Sequence, residues 1–140
     1  MIRLAKPQDI STIKKIEDSS FNKIYHEDKD FYIENVMNDN CWILNENDID
    51  CGILIVEKKD NSFRIESVSV LPEYQGKGYG RKLCEFAETI CPYDQIKLEV
   101  NTENKKAIDV YSKMGYTIDG ISLDFYASKV DAFKMTKILR

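Results

Sequence analysis

The spacing of apolar residues changes several times along the chain, and each change marks a new element. Ile2-Arg3-Leu4-Ala5 alternates as a strand does, and Pro7 ends it. Ile10, Ile13 and Ile16 then recur at three-residue spacing behind a cap at Asp9 or Ser11, which predicts a helix. Residues 19–29 are polar with Phe21, Ile24 and Tyr25 interspersed, and read as a loop or broken helix. Asp30 opens a second short helix through Val36 and Met37, and Asn38-Asp39-Asn40 is a turn. Strands over 41–44 and 49–57 flank Asn45-Glu46-Asn47-Asp48, the signature of a hairpin.

After a turn over 58–62, a strand over 63–71 carries its apolar residues first at Phe63 and Ile65, then at Val68 and Val70. The apolar set changes side near residue 67, so either both faces are buried or a bulge resets the register. A glycine-rich loop leads into a helix over about 80–90 with the stripe Leu83, Phe86, Ala87 and Ile90. Ile96, Leu98 and Val100 form a strand. A helix over 104–114 presents Ala107, Val110, Tyr111 and Met114 on one face and stops at Gly115. Strands over 116–123 and 132–139 close the chain. The order βααβββαβαββ predicts the α/β (α+β) class, with a mixed sheet of about seven strands flanked by four helices.

Composition narrows the function. The 140 residues, with neither repeat nor linker, suit one domain over 1–140. The net charge of -4 argues against a nucleic-acid partner, because phosphate-backbone binding rests on excess Lys and Arg. The longest apolar run, Ile53-Leu54-Ile55-Val56, is far short of the roughly 18 residues a membrane helix needs, so no membrane partner is expected. No basic stretch followed by an apolar one opens the chain, so no secretory signal is expected. Cys41, Cys51, Cys84 and Cys91 make no Cys-x-x-Cys and the single histidine is His26, which predicts no metal site and reduced, cytoplasmic thiols.

The chemistry concentrates between Val68 and Arg81. Gln75-Gly76-Lys77-Gly78-Tyr79-Gly80 lies between a strand and a helix. Glycines allow a positive φ and close backbone approach, and N–H groups at a helix start make an anion site. Lys77 and Arg81 add positive charge. The loop therefore reads as a phosphate or pyrophosphate cradle. A P-loop is excluded because Gly-x4-Gly-Lys-Ser/Thr is absent, and the dinucleotide fingerprint fails because Arg81 stands where its third glycine belongs.

Gln75-x-x-Gly78-x-Gly80 resembles the acetyl-CoA pyrophosphate loop of the Gcn5-related N-acetyltransferases. A second segment, Asn104-x-x-Ala107-x-x-x-Tyr111-x-Lys113-x-Gly115-Tyr116, is similar to another signature of that family. The resemblance implies a single-domain fold with a mostly antiparallel sheet and acetyl-CoA as cosubstrate. It implies that Val68, Ser69 and Val70 receive the pantetheine arm at a splay in the sheet. It implies that backbone N–H groups from Gly76 to Arg81, Tyr79 included, hold the pyrophosphate, and that Asn104 contacts CoA or else caps its helix. Tyr111 matches the general acid that protonates the CoA thiolate, though its place on an apolar stripe also suits packing.

Two carboxylates resemble bases of different branches. Glu66, nine residues before Gln75, resembles that of polyamine-type members; Glu99, twelve before Tyr111, resembles that of the RimI type. Either carboxylate is otherwise a solvated strand residue. The ending Phe125-Tyr126 with Asp131-Ala132-x-x-Met135 resembles that of protein N-terminal acetyltransferases, with Phe125 in place of one tyrosine and a shorter loop. The resemblance implies that Phe21, Tyr25, Phe125 and Tyr126 line the acceptor pocket. The expected activity is acetyl transfer to a primary amine, a peptide N-terminus or a small amine, by a monomer or homodimer. A CoA-binding module without turnover is the alternative.

Overall fold

The computed structural model describes residues 1–20, 27–123 and 131–140. Strand β1 (Ile2–Leu4) leads through a 3-10 turn at Pro7–Asp9 into α1 (Ile10–Ser19), then α2 (Lys29–Met37). Strands β2 (Cys41–Glu46), β3 (Ile49–Lys59) and β4 (Ser62–Val70) follow as a meander. Helix α3 (Tyr79–Ile90), β5 (Gln95–Asn101), α4 (Lys105–Lys113), β6 (Thr117–Ser122) and β7 (Ala132–Ile138) complete the chain. The seven strands form one sheet in the order β1-β2-β3-β4-β5-β7-β6. Every adjacent pair is antiparallel except β4–β5.

The expected element order is observed, with the helix caps as corrections. Asp9 precedes α1 but does not cap it by its side chain. Its carboxylate instead accepts from Lys6 N and from the Arg3 guanidinium, both at 2.8 Å. Asp28, not Asp30, caps α2 by accepting from Phe31 N. The β2–β3 turn is the one its polar residues predict: Asn47 and Asp48 take φ of 53° and 66°, the backbone of a tight primed hairpin turn.

The sheet is buried on both faces because β3 alternates between two apolar clusters. Leu54 and Val56 join Leu83 and Ala87 of α3, while Ile53 and Ile55 join Ile13, Ile16, Tyr32 and Val36 of α1 and α2. The register break in β4 is a bulge. Ile55 pairs with Ser67 and Val56 with Ile65, so Glu66 is the extra residue. That returns Val68 and Val70 to the face already holding Phe63 and Ile65. Both readings of the pattern are therefore true at once.

The parallel ladder between β4 and β5 comprises Arg64↔Lys97 and Ile65↔Leu98 and stops there. Beyond the bulge β4 stays paired to β3 but leaves β5, which opens a gap beside Val68, Ser69 and Val70.

Candidate functional site

A cavity of ≈ 320 Å³ occupies this gap. Its floor is Val68, Ser69 and Val70; its rim is the glycine loop; its far wall is α4. Ten of the eleven residues expected to hold acetyl-CoA meet on its lining: Val68, Ser69, Val70, Gln75, Gly76, Gly78, Tyr79, Gly80, Arg81 and Asn104. Tyr111 joins them. Lys77 does not; it is exposed, with its ammonium 5.5 Å from the centre of the Tyr74 ring.

The loop geometry follows from its sequence. Gly76 and Gly78 adopt φ of 76° and 86°, which side chains with a Cβ resist. Gly78 is the N-cap of α3 and has no side chain with which to satisfy the first N–H groups, leaving donors at the cavity rim. Gln75 acts on the loop itself: its Nε2 donates to Val70 O at 2.9 Å, tying the loop to the end of β4. Asn104 likewise has a structural duty, since its Oδ1 accepts from Ala107 N at 3.2 Å as the N-cap of α4. Its expected choice between cap and cofactor contact dissolves, because the same residue caps the helix and lines the cavity.

The apolar stripe of α4 explains Tyr111. Ala107, Val110, Tyr111 and Met114 all line the cavity, and Val110 is 41% exposed. The stripe therefore faces the cavity as well as the core. Tyr111 stacks edge-on against Tyr116 with ring centres 5.7 Å apart, which fixes the ring plane. It also hydrogen-bonds Cys84 of α3, another lining residue. Burial, then Glu88, pushes the Cys84 thiol up to about 12, so it stays protonated at neutral pH.

Glu66 and Glu99 are brought together, but by a residue absent from the expected site. The Arg64 guanidinium donates to Glu99 at 2.5 Å, to Glu66, and to both oxygens of Glu57 at 3.1 and 3.3 Å. One cation thus gathers carboxylates from β3, β4 and β5 where the ladder ends. Burial raises the Glu66 carboxyl above its usual range, against the opposing pull of Arg64. Glu57 is lowered, chiefly by its hydrogen bond from Arg64. Neither Glu66 nor Glu99 lies on the cavity lining. Phe21, Tyr25, Phe125 and Tyr126, the expected acceptor pocket, and His26 fall outside the described residues.

Sequence reasoning also missed Glu17, Tyr74, Cys84 and Lys106. The last three line the cavity. Glu17 is buried on α1 and accepts from Ser67 and Ser69. An acid beside Ile16 and one turn after Ile13, on an apolar helix face, was its signal. Among the described residues no group of His, Cys, Asp and Glu is arranged to hold a metal ion.

Comparison with known proteins gives consistent matches. A family model described as an acetyltransferase (GNAT) domain matches residues 37–118. The N-alpha-acetyltransferase RimI of Mycobacterium tuberculosis is 30% identical over 76 residues, which cover 54% of this chain and 48% of that protein. Spermidine N(1)-acetyltransferase of Escherichia coli is 35% identical over 57 residues, covering 38% of this chain and 31% of that protein. The matches thus span half or less of these relatives' own length. In fold, the chain resembles Ard1 from Thermoplasma volcanium, with a TM-score of 0.90 and 21% identity, over 100% of this chain and 97% of that one.

Proposed function

The chain belongs to the GNAT acetyltransferase family, and from that premise we propose that it transfers an acetyl group from acetyl-CoA to a primary amine, with a protein N-terminal α-amine as acceptor. The observation that carries this reading is the cavity at the splay, where the N–H-rich loop, the stretch of β4 that has left β5 and the Tyr111 ring converge. The loop N–H groups and the start of α3 hold the pyrophosphate, with Arg81 adding charge. The pantetheine arm lies along Val68–Val70, where β4 has no β5 partner for its backbone. The thioester then lies in the gap between β4 and β5.

The amine attacks the thioester carbonyl directly. A backbone N–H near Val70 stabilises the oxyanion. Tyr111 protonates the departing thiolate; with thiol and phenol pKa values of about 8.5 and 10, the transfer is a modest one. The amine's proton passes to a carboxylate on the acceptor side, for which Glu66 and Glu99 are the candidates drawn from the family's signatures. Both would first have to loosen their hold on Arg64.

The α-amine is favoured over a small amine because the match to RimI covers more of the chain than the match to the spermidine enzyme. The test is turnover of acetyl-CoA against two panels, short peptides with varied N-termini and small amines including polyamines. Release of CoA with peptides alone supports the reading. Preference for small amines transfers it to that class, and tight acetyl-CoA binding without turnover on either panel replaces it with a binding module.

A further inference from the structure

Glu17 is 1% exposed, on the face that α1 presents to β3 and β4. Its Oε2 accepts a hydrogen bond from the Ser67 hydroxyl at 2.6 Å and another from the Ser69 hydroxyl. Its Oε1 accepts from the Tyr32 hydroxyl of α2 at 3.4 Å. Ser69 also lines the cavity, so the residue whose hydroxyl bonds the buried carboxylate borders the space assigned to the thioester. The carboxylate satisfies three hydroxyls, of which those of Tyr32 and Ser69 are buried, at the cost of its own desolvation. The placement is also selective: Ser67 and Ser69 occupy the two positions after the bulge that face away from α3, where β4 has left β5.

We propose that Ser69 and Glu17 form a proton relay for the attacking amine. This rests on the acetyl-transfer reading. The amine lone pair forms the new C–N bond to the thioester carbon. The N–H bond breaks as Ser69 Oγ takes its proton, and the Ser69 O–H bond breaks as Glu17 Oε2 takes that one. The C–S bond breaks with its electron pair going to sulfur, which is protonated by Tyr111. Exchange with water then returns Glu17 and Tyr111 to their starting states. Ser67 and Tyr32 hold the carboxylate in place during the transfer. Glu66 and Glu99 each give one oxygen to Arg64 and neither lines the cavity, whereas Glu17 is bonded to the hydroxyl of a lining residue.

The test uses Glu17→Gln, Ser69→Ala, their combination and Ser69→Thr, in the full chain with acetyl-CoA and the best acceptor from the two panels. Glutamine fills the same volume and can still accept from both serines but cannot take a proton. The relay requires kcat to fall about a hundredfold in Glu17→Gln and in Ser69→Ala, the ordinary range for a lost acid–base group. The KM for acetyl-CoA should stay within about twofold, and the double variant should be no slower than the slower single one. Ser69→Thr, which keeps the hydroxyl, should recover most of the rate. Near-normal kcat in Glu17→Gln, or losses that multiply in the double variant, overturn the relay and leave acetyl transfer standing. A wild-type chain that acetylates nothing in either panel overturns both.

Discussion

Gly78 and Gly80 lie two residues apart in the same loop, yet alanine should act on them in opposite senses. At Gly78 an added Cβ meets nothing within 4 Å, but φ is +86°, so the cost is conformational. A residue with a Cβ in the left-handed region costs about 1–2 kcal/mol. At about 2.1 cal/mol/K of unfolding entropy per residue, 140 residues give about 0.3 kcal/mol per degree. Gly78→Ala should therefore lower Tm by about 3–7 °C. Gly80 sits within the first turn of α3 with no positive φ, and its Cβ would meet Val68 Cγ1 at an ordinary 3.9 Å. Alanine there restricts the unfolded chain and should raise Tm by about 1–3 °C, from a gain of about 0.4–1 kcal/mol. The same methyl would project from the cavity wall, so acetyl-CoA should bind at least about tenfold more weakly, a loss of about 1.4 kcal/mol. Calorimetric melting without ligand and isothermal titration with acetyl-CoA measure the two effects. Shifts of Tm in the same direction refute the conformational assignment. Unchanged affinity in Gly80→Ala refutes the claim that close approach of the ligand requires glycine there.

Tyr111→Phe should reduce kcat by about a hundredfold with little change in acetyl-CoA affinity; unchanged turnover in steady-state assays would make Tyr111 a packing residue alone. Asp9 is lowered below its usual range, first by its hydrogen bond from Arg3, and Glu57 likewise by Arg64. Groups with depressed folded-state values add stability that is present above the unfolded carboxylate pKa of about 4 and is lost as pH falls through the folded value. Urea midpoints should therefore drop between about pH 5 and pH 2, and Asp9→Asn should flatten that drop while costing about 1–3 kcal/mol at pH 7. All four cysteines are buried, and burial pushes the thiols of Cys41 and Cys84 up to about 12. A disulfide reagent at pH 8 should leave the native chain unlabelled over minutes and react with all four thiols in denaturant.

The fold was legible because each element carries its own period. The Ile10, Ile13, Ile16 spacing and the Leu83, Phe86, Ala87, Ile90 stripe mark helices directly. Even the bulge at Glu66 left a trace, in the switch of apolar parity between Ile65 and Val68. The cavity was legible for the same local reason: strand, loop and helix are contiguous from Val68 to Arg81, and α4 was tied to them by its motif. What escaped depends on pairing between distant strands. Nothing in the neighbourhood of Phe63-Arg64-Ile65 shows that Glu57 and Glu99 will stand beside it; only the β3–β4 and β4–β5 registers bring them there. Ser69 and Glu17 are 52 positions apart, and their contact follows from how α1 packs across the sheet. The cap of α2 was misplaced because Glu27, Asp28 and Asp30 cluster near its start, whereas Asp9 stands at the expected cap position of α1 but gives its carboxylate to Arg3 and Lys6 N.

The short β4–β5 ladder also bears on how the chain assembles. The meander β2–β3–β4, with β1 at its edge, is built from antiparallel neighbours close in sequence, and β5–β7–β6 forms a second antiparallel group. Their seam is two rungs long and is reached only after the chain has travelled through α3. Closing such a connection brings an entropic cost before its contacts form. The two groups are thus natural cooperative units, with the seam as the last part to form and the first to open. Amide protons in the middle of β3, covered on both faces, should exchange near the global unfolding limit, while those along the seam should exchange through local separation. A molecule lying across the gap would stitch the halves together, so occupancy of the cavity and cooperativity of the whole chain become one property.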